Sequence, residues 1–307
     1  MQVSLNKIST QFSLQPFNLN DEAAYTIWRN QKLLNYPKKP EALLVRIKDM
    51  QHVTKHEMVS IYSILEKTNM CLYQLDNPAS VSKAGIKQLA LQFGLERLDS
   101  NICADEDSIS SLQTRDSGRH AGYIPYTNRK LSWHTDGYYN KPENTIRAML
   151  LHCVNNAAKG GENAYLDHEI LYIHLRDKNP DYIRALMDSA ALTIPPNEEA
   201  GAERAAQSGP VFSLDKDSGS LHLRYTARTR SIEWDNVPIL LEAVEEIRRF
   251  LNSDSDYIFK YKLHPGEGVI CNNVLHNRTA FDEGDEAEGK RFIYRARFYD
   301  RVKASST

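Results

Sequence analysis

The chain has 307 residues, of which 41% are hydrophobic and 25% charged, and this composition is typical of a soluble globular protein, not a disordered one. A formal net charge of −2 provides no positive field for nucleic acid or an anionic membrane surface, so we expect neither as a partner. No segment approaches the roughly eighteen consecutive apolar residues of a membrane helix, and residues 1–17 lack the apolar core of a signal peptide.

The cysteines lie far apart in the sequence and form no C-x-x-C pair. This spacing indicates reduced, buried thiols and favours a cytoplasmic location over a secreted one. The four residues are Cys71, Cys103, Cys153 and Cys271.

The first hundred residues have a largely helical pattern. Apolar residues at mixed helical spacing predict a helix within 41–67. The short apolar run at 70–75 predicts a strand, and Ser82 can cap a helix over about 83–93. We therefore expect residues 1–110 to form a helical region that packs on the core of the protein.

The pattern changes after Gly118, where short β-prone runs alternate with Gly, Pro, Asn and Asp clusters. Many short strands with few helices predict a mainly β protein with helical additions, built on a jelly roll, the double-stranded β-helix of cupin-like folds. We place this core at 111–302, followed by a tail at 303–307. The predicted strands are 145–154, 163–167, 210–214, 220–226, 257–263, 268–272 and 291–299, and the predicted helices are 169–176, 181–187 and 237–251.

An H-x-D motif stands at His134 and Asp136 and is the only H-x-D or H-x-E in the chain. Residues two apart on a strand project from the same face, which would place an imidazole beside a carboxylate as neighbouring ligands of one metal. The alternative is a structural His–Asp hydrogen bond at a strand end.

A further histidine, His276, follows an apolar strand pattern and the sequence Asn-Asn-Val-Leu. In a jelly roll a late strand can carry this histidine onto the strand of His134 and Asp136. Two histidines and one carboxylate on one side of a metal are typical of non-haem iron(II) oxygenases. Zinc could take the same ligands, although catalytic zinc more often shows three histidines or an H-E-x-x-H helix, which is absent.

A basic strand follows, with Arg291, Arg295 and Arg297 at positions of one parity. Arginines that face the inside of a barrel need a carboxylate partner, and a dicarboxylic co-substrate would supply one. The alternative is a surface strand with solvated arginines.

Together these motifs resemble the taurine dioxygenase family of iron(II)/2-oxoglutarate enzymes. The resemblance covers about residues 110–302 and rests on four motifs in order. They are the H-T-D of 134–136, the G-G-E-N of 160–163, the N-R-T-A-F that follows His276, and the R-x-x-x-R of Arg291 and Arg295.

The resemblance implies an enzyme that uses Fe(II), 2-oxoglutarate and O2 to hydroxylate an unactivated C–H, with release of succinate and CO2. It implies that His134, Asp136 and His276 are the iron ligands. It also implies that Arg291 binds the distal carboxylate of 2-oxoglutarate and that Arg295 lies near the co-substrate or the substrate, although the longer spacing after His276 leaves the choice between the two open. Asn163 stands where the family commonly has a threonine that helps bind the carboxylate, and its amide can also donate.

The substrate is expected to be a small, polar or anionic molecule. Tyr138 and Tyr139 directly follow the metal motif, and Arg228 and Arg230 lie on a later basic segment, so these four are candidate substrate residues. The N-terminal helices are a candidate surface for a homo-oligomer. Two alternatives compete with the hydroxylase: a non-catalytic metabolite-binding jelly roll, and a metal-dependent oxygenase that does not use 2-oxoglutarate.

Overall fold

Contacts divide the chain into two units, Met1–Tyr36 and Pro37–Thr307. The computed structural model describes residues 15–78, 81–100, 107–115, 124–198, 203–230, 232–284 and 290–302, so the predicted tail at 303–307 lies outside it. In the first unit, helix α1 (Glu22–Leu33) begins after Asp21, whose carboxylate accepts a hydrogen bond from the Ala24 N–H at 2.9 Å. This is the usual way to satisfy an unpaired N–H at the start of a helix.

A six-stranded sheet forms one layer of the second unit. All neighbouring strands in it are antiparallel except the first two, which are parallel. Across the sheet the order is β1 (Leu44–Ile47), β2 (Met70–Leu75), β14 (Glu267–Cys271), β5 (Ala148–Asn155), β17 (Phe292–Phe298) and β3 (Ile109–Leu112).

Helices α2 (Lys55–Thr68) and α3 (Lys83–Leu91) cover the outer face of this sheet. Ile61 and Leu89 are fully buried there against Ala296 and Phe298 of β17. Because side chains alternate along a strand, Arg295 and Arg297 point to the opposite, inner face. One face of β17 is therefore apolar and packs against the helices. The other face carries the arginines and points into the interior.

A four-stranded sheet lies against that inner face. Its order is β13 (Phe259–Tyr261), β7 (Asn163–Leu166), β15 (Leu275–Arg278) and β4 (Leu131–His134). The two layers meet where an Arg295 guanidinium N–H lies 3.4 Å from a carboxylate oxygen of Asp136, just beyond β4. These two facing sheets with their helical additions are the predicted double-stranded β-helix.

The described chain also contains three further α-helices and several short strands. Helices α4 (His168–Lys178), α5 (Pro180–Leu186) and α6 (Pro238–Leu251) pack against one another. No helix in the described ranges is long and apolar enough to cross a membrane. The smaller strands are β6 (Lys159–Gly160), β8 (Leu192–Ile194), β9 (Gln207–Gly209), β10 (Phe212–Leu214), β11 (Leu221–Leu223), β12 (Glu233–Trp234) and β16 (Phe281–Asp282).

Most predicted elements form within a few residues of their expected positions, but the helix predicted within 41–67 is wrong in its first half. Residues Leu44–Ile47 form β1, paired with β2. Helix α2 begins only after Thr54, where Thr54 and Glu57 form a capping box. A short apolar run fits a buried strand as well as a helix, and only pairing with β2 selects the strand.

Two other sequence interpretations bear on this fold. The predicted boundary at residue 110, between a helical region and the jelly-roll core, stays a prediction. Strands β1, β2 and β3 lie in one sheet with β5, β14 and β17. Cys71, Cys153 and Cys271 are buried free thiols, as expected, and Cys103 lies outside the described residues.

Candidate active site

Two histidines face each other across the β4–β15 ladder. His134 and His276 are register partners, and their ring centroids lie 4.3 Å apart. Each Nδ1 lies within hydrogen-bond distance of a carbonyl two residues earlier, Ser132 O at 2.9 Å and Val274 O at 3.0 Å. Because a carbonyl can only accept, each Nδ1 carries the proton and each Nε2 is left with a lone pair for a ligand.

Asp136 joins them from a different element than the sequence predicted. Strand β4 ends at His134, and Asp136 lies in the turn that follows, just before Gly137 with its φ of +68°. The alternation rule therefore does not place this carboxylate. Asn273 does, because its Oδ1 accepts from the Asp136 N–H at 2.8 Å and its Nδ2 donates to the Asp136 carbonyl at 2.9 Å.

Sequence reasoning missed this role of Asn273. The residue is 1% exposed, has a φ of +51° and also donates to the Ile146 carbonyl at 2.7 Å. Asparagine is among the few residues other than glycine that adopt positive φ readily, so the Asn-Asn pair before His276 was the available signal.

We expect Asn273→Ala to lower the free energy of unfolding by about 3 kcal/mol, since it leaves buried backbone groups unpaired at a strained φ. It should also weaken metal binding, because the Asp136 backbone loses its support. Asn272→Ala is the matched control: Asn272 is also buried, but it bonds Asn69 and Val302. Urea unfolding and iron(II) titration of both variants test this; equal metal affinity in the two would contradict the role given to Asn273.

The three candidate ligand atoms, one each from His134, Asp136 and His276, lie within 4.8 Å of one another. All three residues are buried, and Asp136 Oδ2 has no hydrogen-bond partner among the described residues. An orphaned buried carboxylate oxygen carries a desolvation cost unless a ligand satisfies it. Two imidazoles and one carboxylate with that oxygen free fit a non-haem iron(II) centre.

The electrostatics of the site favour metal-binding protonation states. Burial, with a contribution from His276, lowers the pKa of His134 to about 3, and burial also lowers the pKa of His276. Burial opposes ionisation of Asp136, but Arg295 and then Arg297 outweigh it and hold the pKa of that carboxyl well below its usual range. At neutral pH the site therefore offers two neutral imidazoles and a carboxylate, the forms that bind a metal.

The two arginines of β17, Arg295 and Arg297, lie beside the Asp136 carboxylate. Besides Arg295, Arg297 has a guanidinium nitrogen 3.9 Å from the same oxygen of Asp136. Arg297 also forms a short ion pair with Asp99 and donates to the Tyr139 hydroxyl at 3.1 Å. Both arginines are therefore engaged by carboxylates of the protein.

Arg291 has different surroundings. Arg291 immediately precedes β17, next to a register shift against β5 between Phe292 and Ile293, and it is buried like Arg295 and Arg297 of the same parity. Arg291 is 6% exposed and its guanidinium lies 5.0 Å from the centre of the Phe281 ring. Among the described residues no carboxylate forms an ion pair with this guanidinium; Glu283 accepts instead from the Arg291 backbone N–H at 2.6 Å. Burial lowers the pKa of the Arg291 guanidinium, and the charge of Glu283 opposes this shift. A buried guanidinium is stabilised by an anion that it can pair with directly.

The G-G-E-N segment packs beside Arg291. Gly160 has a φ of +68°, and a Cβ there would lie 2.2 Å from the Ala280 carbonyl oxygen, so only glycine fits. A Cβ on Gly161 would lie 3.7 Å from Arg291 Nε. Asn163 is buried, and its Nδ2 donates to the Asn277 carbonyl at 3.0 Å. Motifs more than a hundred residues apart thus meet around one arginine.

A family model described as taurine catabolism dioxygenase TauD, TfdA family, matches residues 74–296. The chain belongs to the TauD/TfdA family. A uridine-5'-phosphate dioxygenase of Amycolatopsis sp. is 30% identical over 206 residues, which are 64% of this chain and 70% of that protein. The γ-butyrobetaine dioxygenase of Homo sapiens is 24% identical over 54% of this chain and 44% of its own length.

Solved structures give the same fold for this TauD/TfdA protein. An asparagine oxygenase in complex with Fe(II), 3-hydroxyasparagine and succinate aligns with a TM-score of 0.54 and 13% identity, over 83% of this chain and 93% of that one. The predicted family and fold class are confirmed, and the chain is an iron(II)- and 2-oxoglutarate-dependent dioxygenase that acts on a small molecule. The two alternatives raised from sequence are set aside.

Three of the four candidate substrate residues of this TauD/TfdA dioxygenase lie together beside the metal ligands. Tyr138 and Tyr139 pack edge to face with ring centres 5.1 Å apart. Burial raises the pKa of the Tyr138 phenol, and the charge of Arg228 and a hydrogen bond with Thr226 oppose this increase. Arg228 and Thr226 therefore lie near the Tyr138 phenol. Thr226 in turn forms an isolated antiparallel β-bridge with His134 through the backbone. Arg228 and Arg230 are both exposed, and Arg230 makes no hydrogen bond or ion pair with the described part of the chain.

Proposed function

We propose that His134, Asp136 and His276 hold the iron(II) of this dioxygenase. The observation that carries the proposal is the convergence of their ligand atoms within 4.8 Å, with one buried carboxylate oxygen that has no partner among the described residues. When bound, iron with 2-oxoglutarate and O2 supplies the oxidant that turns an unactivated C–H into C–OH, with release of succinate and CO2. The burial of all three residues keeps bulk water from this reaction.

We further propose that Arg291, not Arg295, binds the distal carboxylate of 2-oxoglutarate. Arg295 already lies 3.4 Å from the Asp136 carboxylate, whereas the buried guanidinium of Arg291 forms no ion pair with the described residues. A carboxylate on Arg291 would be held by a charge-assisted hydrogen bond on a fixed planar fork. Arg295 and Arg297 instead keep Asp136 ionised. Asn163 stays a predicted contact of the co-substrate.

For the substrate, we propose a small anionic molecule, and a nucleoside 5′-monophosphate is the first class to test. Arg228, Tyr138 and Thr226 offer a cation and hydroxyl groups beside His134. Two of the related dioxygenases act, by name, on uridine 5′-phosphate. A phosphate is the kind of group that a guanidinium and hydroxyls bind together. The homo-oligomer and the cytoplasmic location stay predictions.

The test is succinate formation from 2-oxoglutarate by the iron-loaded protein in the presence of uridine 5′-phosphate or uridine. We expect turnover to depend on the phosphate. We expect Arg228→Ala to raise the KM for the anionic substrate about ten-fold, the loss of about one hydrogen bond to a charged group. Arg230→Ala removes the same charge two residues away and should change KM less. Equal turnover of the nucleotide and the nucleoside would overturn the anionic-substrate proposal.

A further inference from the structure

Tyr165 lies in the interior between the metal ligands and Arg291. It is the register partner of His276 in the β7–β15 ladder, so its side chain projects from the same face of the four-stranded sheet. The residue is 1% exposed, and its phenol oxygen is buried with no hydrogen-bond partner among the described residues. Buried hydroxyl groups nearly always have a partner, so this one calls for an explanation.

The residues around the Tyr165 phenol place it between the metal ligands and Arg291. Burial raises the pKa of the Tyr165 phenol, Cys271 adds to the effect and Arg291 opposes it, so both lie near the phenol. The negative charge of the Asp136 carboxylate also helps to raise the pKa of the Cys271 thiol. Cys271 is therefore near both Asp136 and Tyr165, and Tyr165 is near Arg291.

Asn163 and Arg278 are the other donors near Arg291, and of their nitrogens Arg278 Nε is buried without a hydrogen-bond partner among the described residues. Asn163 Nδ2 donates to the Asn277 carbonyl, and Arg278 donates to the carbonyls of Thr127 and Arg129 at 2.8 and 2.6 Å. The phenol of Tyr165 is a neutral donor without such a bond. A carboxylate held by Arg291 has oxygen lone pairs to spare and would accept from it.

We propose that the Tyr165 hydroxyl donates a hydrogen bond to the distal carboxylate of 2-oxoglutarate beside Arg291. This makes Tyr165 a positioning residue that favours a 2-oxo acid with a second carboxylate over one without it. The inference rests on the proposed binding of 2-oxoglutarate by Arg291.

The experiment compares Tyr165→Phe with wild type in anaerobic calorimetric titrations of the Mn(II)-loaded protein, so that no turnover is needed. The ligands are 2-oxoglutarate and 2-oxopentanoate, which has the same chain length but lacks the distal carboxylate. Losing a hydrogen bond to a charged group should weaken 2-oxoglutarate about ten-fold and leave 2-oxopentanoate unchanged. Tyr73→Phe is the matched control, since Tyr73 is a buried tyrosine in the outer cluster of the six-stranded sheet.

Each outcome decides the matter. Unchanged 2-oxoglutarate affinity in Tyr165→Phe, or equal weakening of both ligands, would overturn the assignment while leaving the role of Arg291 intact. Failure of the wild type to bind 2-oxoglutarate would overturn the proposed function and this inference with it. Without ligand, Tyr165→Phe should melt no lower than wild type, because the hydroxyl it removes has no partner in the described part of the chain. A clearly lower melting temperature would contradict the proposal.

Discussion

Replacement of His276 by alanine is expected to weaken iron(II) binding by more than about a hundred-fold and to abolish substrate-dependent succinate formation. Loss of a group that only supports a ligand already costs about 10–100-fold in affinity, and His276 is proposed as a ligand itself. The variant leaves one imidazole and one carboxylate, and these cannot hold iron facially. Anaerobic iron(II) titration, followed by a coupled succinate assay, measures both effects.

His152→Ala is the control for this prediction. His152 is as buried as His276, but its Nδ1 bonds the Tyr73 hydroxyl in the six-stranded sheet, away from the triad. It should bind iron as the wild type does, even if its stability falls. Wild-type iron affinity in His276→Ala would show that the triad is structural and that the metal lies elsewhere.

Arg291→Gln is expected to weaken 2-oxoglutarate about a hundred-fold or more and to leave iron binding nearly unchanged. Truncating one partner of a buried, hydrogen-bonded charge pair costs about 2–5 kcal/mol, and each 1.4 kcal/mol is about ten-fold. Glutamine keeps much of the volume beside Phe281 and Gly161, so packing should change little. The measurement is the visible charge-transfer band that appears when 2-oxoglutarate is added anaerobically to the iron(II) protein.

Arg295→Gln separates the two arginines left open by the sequence. This variant removes the guanidinium 3.4 Å from Asp136 and leaves Arg297 to balance the carboxylate. We expect it to alter iron affinity and stability, and to reduce 2-oxoglutarate affinity less than Arg291→Gln does. The reverse order would reassign the distal carboxylate to Arg295.

The interior charges around Asp136 form a balanced group. Asp99 and Asp136 are the carboxylates, and Arg295 and Arg297 are the guanidinium groups. The Tyr299 hydroxyl donates to Asp99 at 2.7 Å, which holds that carboxylate against Arg297. Buried charges are tolerated when they are paired in this way, so the network keeps Asp136 ionised without bringing water into the core.

The residues with the strongest chemistry could be predicted from the sequence. His134, Asp136, His276, Arg291 and Arg295 are candidates from the sequence because iron and a dicarboxylate require particular side chains, and the order of the motifs along the chain is itself informative. The sheet strands could be predicted from apolar runs between turn residues. Helix α3 followed from Ser82, a capping residue whose effect is local.

Only the tertiary structure decided which side chains from distant strands contact one another. Asn273 supports Asp136 across 137 residues of sequence, and Arg297 reaches Asp99 across 198. The orphaned hydroxyl of Tyr165 is visible only once its neighbours are in place. Local spacing carries no information on such pairs, because they depend on strand register and on which sheet faces which. The sequence by itself determined which groups are candidates for the chemistry, and the packing of the two sheets against each other decided how those groups are held.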